Sequence, residues 1–272
     1  MKKLLLAIFA VGAALSVFAQ DSTATEKADT IRVGGMIIVK KAGDGKHKDV
    51  TISNHRRRKP SNISTNWWIV DLGFANVNDK TDYTAAQASG FTGNGINKDQ
   101  LNLKNGKSVN VNLWFFLQRL NMIKHVVNLK YGLGLELNNY HFDNEQVRFS
   151  KNPTQISLDN SLTGVKKNKL AADYVTIPLM INFNFTPERK KGFGLSAGVS
   201  AGYLYSARQK IKVNDYKTKL HDDFDLKPWN LYYIGELNLG PVKLYGSYAF
   251  ENMWEKGLDQ TPYNVGIRLS NW

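Results

Sequence analysis

Apolar and polar residues alternate along much of this sequence, most regularly from Tyr174 to Arg208. Large apolar side chains occupy every second position from Val175, and the alternation resumes after a polar turn at 186–191. A period of two indicates extended strands with one apolar and one polar face. The second strand runs for about 15 residues, whereas strands of soluble sheets have about 5–6 and a tilted strand that crosses a bilayer needs about 9–11. The pattern therefore predicts a transmembrane β-hairpin.

Six further stretches show the same alternation, so the sequence predicts eight strands. The six lie at 67–77, 108–118, 125–142, 230–239, 242–251 and 263–272. Short turns alternate with longer polar connections, which lie at 79–107, 143–169, 210–227 and 252–261. Outer-membrane barrels have short periplasmic turns and long extracellular loops, and a sheet crosses hydrocarbon only when it is closed. We therefore predict an all-β fold: a transmembrane, eight-stranded, antiparallel up-and-down β-barrel with both termini in the periplasm.

An export signal precedes the barrel. Lys2 and Lys3 stand before the apolar run 4–17, and Val17-Phe-Ala19 supplies the small residues of a cleavage site. The sequence therefore predicts a signal peptide at 1–19, with an uncleaved membrane anchor as the alternative.

The segment between the signal peptide and the first strand has little globular pattern. We interpret 20–65 as a basic, mostly flexible periplasmic extension, in which 30–41 has the pattern of two short strands around a Gly-Gly turn. Its run Arg56-Arg-Arg-Lys59 would favour nucleic acid in a cytosolic protein. Export favours phosphate head groups or a periplasmic partner instead, with a solvated tail as the simplest alternative. The barrel is expected to occupy 66–272.

Charged residues recur on the polar face of the predicted strands, which faces the barrel interior. They are four acids and four bases: Asp71, Glu136, Glu236, Glu251, Lys130, Arg208, Lys243 and Arg268. Large side chains share that face: Trp114, Phe116, Tyr232 and Tyr245. Side chains just fill a barrel of eight strands, and buried charges need partners. We therefore predict a plugged interior, the competing interpretation being a path for protons or ions.

Aromatic residues cluster at the ends of the predicted strands, as expected of two interfacial girdles. Those near the predicted periplasmic ends are Trp67, Trp68, Phe193 and Trp272. Those near the predicted extracellular ends are Tyr140, Tyr203, Tyr205, Trp229, Phe250 and Trp254. The alternative explanation is the general preference of aromatic residues for strands.

The composition narrows the possible chemistry. The chain has 272 residues, a net charge of +13 and no cysteine, which excludes disulfides, thiolate metal sites and thiol nucleophiles. The histidines have no metal-ligand spacing; they are His47, His55, His125, His141 and His221. We interpret the run 221–225, a weak calcium candidate, as a solvated acidic stretch. The sequence thus predicts no catalytic, cofactor-binding or metal-binding residue and no cofactor, and His141 without a nearby serine does not make a lipid-modifying enzyme.

One pair of motifs resembles a known family. Tyr174-Val-Thr-Ile-Pro-Leu-Met180, followed by Gly192-Phe-Gly-Leu-Ser-Ala-Gly-Val-Ser-Ala-Gly-Tyr203, is similar to the PorT-like outer-membrane β-barrel family. The resemblance covers 67–272 and implies an outer-membrane barrel. The family's namesake acts in type IX protein secretion, and no site residue can be carried over. Pro178 has no N–H for the ladder, so we expect a bulge or a missing bond there.

The predicted function is that of a non-enzymatic structural or interaction protein. We expect a monomer that binds no nucleic acid and contacts outer-membrane lipid, lipopolysaccharide or a partner through its extracellular loops. Trp272 resembles the terminal aromatic residue that the barrel-assembly machinery reads during insertion. Two alternatives stay open: an accessory subunit of a secretion or envelope complex engaged through 21–65, and a rim enzyme that acts on outer-membrane lipid.

Overall fold

The structure, a computed structural model, describes residues 29–33, 36–40, 50–53, 61–188, 192–240 and 242–270. The predicted signal peptide at 1–19 and Trp272 lie outside the described residues. The chain forms two units, Met1–Lys59 and Pro60–Trp272. Over the described ranges, no helix has the length and apolar character needed to cross a bilayer.

The first unit contains a three-stranded antiparallel sheet. Its strands are β1 (Asp29–Val33), β2 (Met36–Lys40) and β3 (Val50–Ser53). β1 pairs with β2 so that Val33 lies opposite Met36, which confirms the two short strands predicted within 30–41. β3 pairs with β2 and has no counterpart in the sequence prediction.

The second unit is a closed barrel. Its elements are β4 (Ile63–Asp79), α1 (Tyr83–Ala88), a 3₁₀ turn (Asp99–Leu101), β5 (Val109–Ile123), β6 (Val127–His141), β7 (Val147–Ser150), β8 (Gln155–Leu158), β9 (Val165–Asn184), β10 (Phe193–Val213), β11 (Tyr216–His221), β12 (Trp229–Leu239), β13 (Lys243–Ala249) and β14 (Gln260–Leu269). Eight strands form an antiparallel ring in the order β4-β5-β6-β9-β10-β12-β13-β14, and β14 pairs back with β4. The predicted eight-stranded up-and-down barrel is confirmed.

The outward face of the ring is apolar and exposed. This lipid-facing belt includes Leu72, Phe74, Val175, Ile177, Leu179, Leu195, Val199, Leu231, Leu237, Leu244, Val265 and Ile267. A soluble monomer rarely exposes so large a continuous apolar surface, whereas a barrel surrounded by hydrocarbon requires one. The period of two in the sequence thus defines the surface that meets the membrane.

Aromatic residues lie at both ends of the belt, with two exceptions. Trp67, Trp68 and Phe193 are exposed at the end with short connections, and Tyr203, Tyr205, Trp229 and Phe250 are exposed at the other end. The predicted girdle positions of Tyr140 and Trp254 are wrong, because both side chains are buried. Tyr140 is on the inward face of β6, and Trp254 packs among the long connections.

A bulge in β5, where it pairs with β6, reverses the predicted faces at one end of the barrel. The register shifts between Trp114 and Phe116, and Trp68 has a left-handed φ of 56°. Leu117 is therefore 1% exposed, although the alternation placed it outside. Phe116, predicted to point inward, packs against the outward Trp67 with ring centroids 5.9 Å apart. A bulge adds one residue to one strand and so inverts every later assignment.

Pro178 interrupts the ladder between β6 and β9, as predicted. Pairing proceeds to Tyr131 opposite Leu179 and resumes only at Gly134 opposite Thr176. Pro178 itself pairs with Ser200 on β10. The missing N–H of proline thus leaves a gap on one side of β9 without a change of register.

The long connections fold into a cap over one end of the ring. We use this name for 80–108, 142–164, 222–228 and 250–259. They contribute α1, whose first turn is capped by the Asp82 carboxylate, and the β7–β8 hairpin. Their buried apolar side chains include Phe91, Ile96, Leu101, Phe142, Val147, Phe149, Ile156, Phe224, Leu226, Met253, Trp254 and Leu258. The four long connections lie where the sequence predicted them, but α1, the β7–β8 hairpin and the buried apolar core of these segments were not predicted.

Candidate functional site

Four charged side chains meet inside the barrel and form a luminal ion network: Asp71, Lys130, Glu236 and Arg268. The Nε and Nη2 atoms of Arg268 donate to the two carboxylate oxygens of Asp71, each at 2.7 Å. Its Nη1 donates to Glu236, and Lys130 Nζ donates to the other Glu236 oxygen at 2.6 Å. All four residues are buried. Two positive and two negative charges therefore balance inside the lumen.

The network connects strands that are far apart in the ring. Asp71 on β4 and Arg268 on β14 are direct cross-strand partners at the seam where the ring closes. Glu236 is on β12 and Lys130 is on β6, so their ion pair crosses the lumen. Two-pronged contacts between arginine and carboxylate are strong and directional. The network thus fastens the seam and occupies the centre of the barrel.

Aromatic side chains pack around the network. Trp114 Nε1 donates to Asp71 Oδ2 at 2.7 Å, and the guanidinium carbon of Arg268 is 5.5 Å from the Trp114 ring centroid. Trp114 thus gives Asp71 Oδ2 a donor in addition to Arg268 and adds a cation–π contact. Lys243, on the same inward face, donates to the Ser270 hydroxyl.

Two glycines at the seam make room for Tyr245. Gly73 and Gly266 face each other across β4 and β14. A Cβ added to Gly73 would lie 2.4 Å from the Tyr245 hydroxyl oxygen, and one added to Gly266 would lie 2.3 Å from the Leu72 carbonyl oxygen. The Tyr245 hydroxyl crosses this gap and donates to Asn110 Oδ1 at 2.6 Å. Close approach of the ring, rather than a turn, explains why both positions lack a side chain.

Amide side chains hold the remaining luminal carboxylate. Asn138 Nδ2 donates to Glu136 Oε1 at 3.0 Å, and Asn264 Nδ2 donates to the same oxygen at 3.4 Å. Asn110 connects to this group by donating to Asn138 at 2.8 Å. A cavity of about 30 Å³ lies between Glu136 and Glu236, space on the scale of one water molecule. Side chains therefore fill the lumen at this level.

Phe149, on strand β7 of the β7–β8 hairpin, is the centre of the cap. Its ring centroid lies 5.7 Å from that of Phe142, 5.2 Å from that of Phe224 and 6.2 Å from that of Trp254. This cluster continues into the inward-facing residues at the top of the ring, which include Ala75, Tyr140, Tyr174 and Ala207. The cap is therefore a second hydrophobic core that closes one end of the lumen.

Two amide side chains fasten the hairpin to the ring. Gln209 Oε1 on β10 accepts from the Phe149 N–H at 2.9 Å, and Gln209 Nε2 donates to the Val147 carbonyl at 2.9 Å. Asn168 Nδ2 on β9 donates to the same carbonyl at 2.5 Å. Buried polar groups of the hairpin are thus satisfied by strands that extend above the membrane.

Asp79, at the end of β4, links the ring to the start of the cap. Its carboxylate accepts from the Tyr83 hydroxyl at 2.6 Å, from Gln260 Nε2 at 2.9 Å and from the Thr81 N–H at 3.0 Å. Burial acts to raise the pKa of Asp79, but these hydrogen bonds outweigh it and hold the pKa below its ordinary value. The ionised carboxylate on β4 thus connects the start of the cap to β14.

Six of the eight charges predicted to point inward do so: Asp71, Glu136, Glu236, Lys130, Lys243 and Arg268. Glu251 is a correction, because it is exposed in the cap and pairs with Lys227. Arg208 is also a correction: the register shifts between Leu204 and Ser206, which turns Arg208 to the outward face, where it pairs with Asp173. Trp114, Tyr232 and Tyr245 are buried as predicted.

His141 and Ser108 lie together at the end of β6, although they are far apart in the sequence. The His141 main-chain N–H donates to the Ser108 hydroxyl at 2.9 Å. Burial lowers the pKa of His141 to about 4, and the positive charges of Lys169, Lys167, Lys107 and Lys104 act in the same direction. The contact therefore engages the main chain of His141 rather than forming a nucleophile–base pair.

The other chemistry candidates occupy different surroundings. Phe224 of the run 221–225 is buried in the cap, so the interpretation of that run as a solvated stretch is wrong at this residue. Asp225 pairs with Lys256 at 3.3 Å. His47 and His55 lie outside the described residues. In the part of the chain that the structure describes, no three acidic or histidine side chains gather as a metal site would require.

Residues 68–253 match the family model of the outer membrane protein beta-barrel domain. A search of curated proteins gave no match. The matched span covers more than half of the chain, from β4 through β13 and into the last cap connection.

Proposed function

Because the chain belongs to the outer membrane protein beta-barrel domain family, it is an integral outer-membrane protein, and we propose that it functions there as a closed barrel rather than as a pore. The luminal ion network carries this proposal. Lys130 and Arg268 reach Glu236 from different sides of the ring, and the pairs cross the space that a solute would need. An eight-stranded barrel has little room beyond its own side chains.

The exposed cap is the part of the protein that we propose acts on other molecules. Long connections of outer-membrane barrels are extracellular and short turns periplasmic, which would direct the cap outward and the termini inward. The four charges of the luminal ion network are paired with one another, amide side chains hold Glu136, and Ser108 meets the main chain of His141. These features support a non-enzymatic structural or interaction protein that works through its extracellular surface.

Solute efflux tests the closed state. The full chain is refolded into liposomes that contain a small trapped sugar, and release is compared with protein-free liposomes. Equal rates are expected, because the lumen and the cap block the same path. Release that scales with the amount of inserted barrel would contradict the proposal.

A second candidate function is an accessory subunit of a secretion or envelope complex, of the kind that a PorT-like protein would form. The observation that favours it is the sheet of β1, β2 and β3, which belongs to a separate unit of the chain. Affinity purification of the full chain and of a chain without 21–59, which leaves all of β4 in place, tests this candidate. Partners that depend on 21–59 are expected if it is correct, and an unchanged partner set would exclude it.

A further inference from the structure

Six lysines form two rows on a sheet that extends beyond the lipid-facing belt. The sheet consists of the ends of β9 and β10 together with β11. In one row Lys210 lies between Lys169 and Lys219, and in the next Lys212 lies between Lys167 and Lys217. We call these six residues the lysine array.

All six side chains point to the same face of this sheet. Residues directly paired in an antiparallel sheet share a face, and so do residues two positions apart in one strand. The alternate residues Asn168, Gln209 and Leu220 face the cap, as their contacts with Val147, Phe149 and the cap core show. The lysines therefore point outward, on the face that lower down carries lipid-exposed Val175 and Tyr203.

Positive charge is concentrated in this array. Paired residues in a sheet are about 5 Å apart, and like charges in that position repel. Few acids lie nearby: Asp173 pairs with Arg208, and Asp215 is 3.7 Å from Lys212. Lys169 also donates to Asn139.

The pKa values of two array members reflect this crowding. Burial and, after it, the positive charges of Lys167, Lys210 and Arg208 together lower the pKa of Lys169 to about 8, against the opposing effect of Asp173. Burial, Lys167 and Lys219 likewise lower the pKa of Lys210. Both shifts mean that a bound anion would relieve an existing repulsion.

The height of the array corresponds to lipid headgroups rather than to hydrocarbon. The exposed aromatic pair Tyr203 and Trp229 marks the upper edge of the belt, with ring centroids 5.0 Å apart. Lys210 follows Tyr203 by roughly 20 Å along the strand, which a tilt of roughly 40° reduces to roughly 15 Å above that edge. On the far side of the ring, the outward residues of β4 beyond the exposed Phe74 are the neutral Asn76 and Asn78.

We propose that the lysine array binds the phosphorylated headgroup of a glycolipid in the outer leaflet. This inference rests on the proposed orientation, in which the cap is extracellular. Ammonium groups at this height meet the sugar phosphates of a lipid whose acyl chains lie along the belt below. Membrane attachment places the phosphates at the array at high effective concentration, which a free anion lacks.

The test uses the full chain in phosphatidylcholine nanodiscs doped with bis-phosphorylated lipid A, and native mass spectrometry counts the retained lipid A. The variant carries Lys169→Gln, Lys210→Gln and Lys219→Gln. Each basic residue near a charged surface contributes about 1 kcal/mol, so retention is expected to weaken by roughly tenfold to a hundredfold. The matched control carries Lys80→Gln, Lys98→Gln and Lys151→Gln, which remove equal charge from the same end outside the array, and wild-type retention is expected.

Three results would overturn the proposal. They are equal loss in the array and control variants, equal retention of dephosphorylated lipid A, and competition by millimolar inorganic phosphate as effective as that by the lipid. Misfolding is not expected in the array variant, because it removes repulsion, and denaturant unfolding checks this point. Sugar efflux from liposomes that contain the same variant tests the closed barrel separately. If the variant loses lipid A but releases no sugar, the result concerns the lysine array alone.

Discussion

Asp71 and Phe149 are the centres of two regions that close the same barrel by different chemistry. Around Asp71, ion pairs and amide hydrogen bonds connect strands of the ring across the lumen. Around Phe149, aromatic side chains from separate connections pack into a core above the ring. The luminal contacts stabilise the strands of the ring, whereas the cap contacts stabilise the long connections between those strands. A substitution in the luminal ion network is therefore expected to destabilise the whole barrel. A substitution in the cap is expected to destabilise only the cap.

Arg268→Met is expected to have the largest effect. It leaves Asp71 and Glu236 as buried carboxylates without their main partner, and removal of one member of a buried ion pair costs about 3–5 kcal/mol. Denaturant unfolding from lipid vesicles measures this loss. Arg148→Met is the control, because Arg148 pairs with Asp159 while 54% of its side chain is exposed, and such pairs contribute about 0–1 kcal/mol. Equal losses would refute a special role for the lumen.

Phe149→Ala is expected to open the cap and leave the ring intact. Truncation of a buried phenylalanine costs about 3 kcal/mol or more, but here the cost falls on segments outside the ring. Hydrogen exchange should show lost protection in 142–164 and retained protection in β5 and β6. Tyr216→Ala, at a residue that is 85% exposed, should change neither. Loss of protection throughout the ring would mean that the two regions form one unit.

Gly266→Ala probes the seam with a smaller effect. The added methyl would meet the Leu72 carbonyl and the Tyr245 ring, and overpacking of this kind costs about 1–3 kcal/mol. Gly246→Ala on the adjacent strand is a matched control, because the nearest atom to its new Cβ would be 3.6 Å away. Denaturant unfolding measures the midpoint of each variant. Equal midpoints for Gly266→Ala and Gly246→Ala would contradict the packing described for Tyr245.

The smallest expected effect is a change in pH dependence at the base of the cap. The folded pKa of His141 is about 4, below the unfolded value of about 6.5. The unfolded chain therefore binds a proton that the folded chain excludes, and stability is greatest above pH 6.5 and falls as the pH drops towards 4. His141→Gln should flatten this slope, as read from cap hydrogen exchange at each pH. His221→Gln, at an exposed histidine, should keep the original slope; a slope unchanged in His141→Gln would rule out His141 as its source.

The same two regions differ in how far the sequence predicts them. Asp71, Lys130, Glu236 and Arg268 are on regular strands, so a period of two assigns them to the interior. The period of two assigned Arg208 to the wrong face, because a bulge shifts the alternation by one residue. Asp173 is two positions before the lipid-facing Val175 and shares its outward face. A charged residue at such a position was the available signal that the strands continue beyond the lipid-facing belt.

The cap could not be predicted in this way. Phe142, Phe149, Phe224 and Trp254 come from three different connections and follow neither a period of two nor one of 3.6 residues. Polar residues flank Phe142, Phe149 and Phe224 in the sequence, and only the closure of the ring brings the four side chains together. Their core depends on tertiary contacts that local patterns do not contain.

Single-channel recording in planar bilayers tests the closed barrel most directly. The full chain, inserted at low density and held at either polarity, is predicted to give no steady current above that of the bare membrane. The luminal ion network and the cap each obstruct the path, so Phe149→Ala alone should also remain silent. Steady ohmic steps from the unmodified protein would contradict the account.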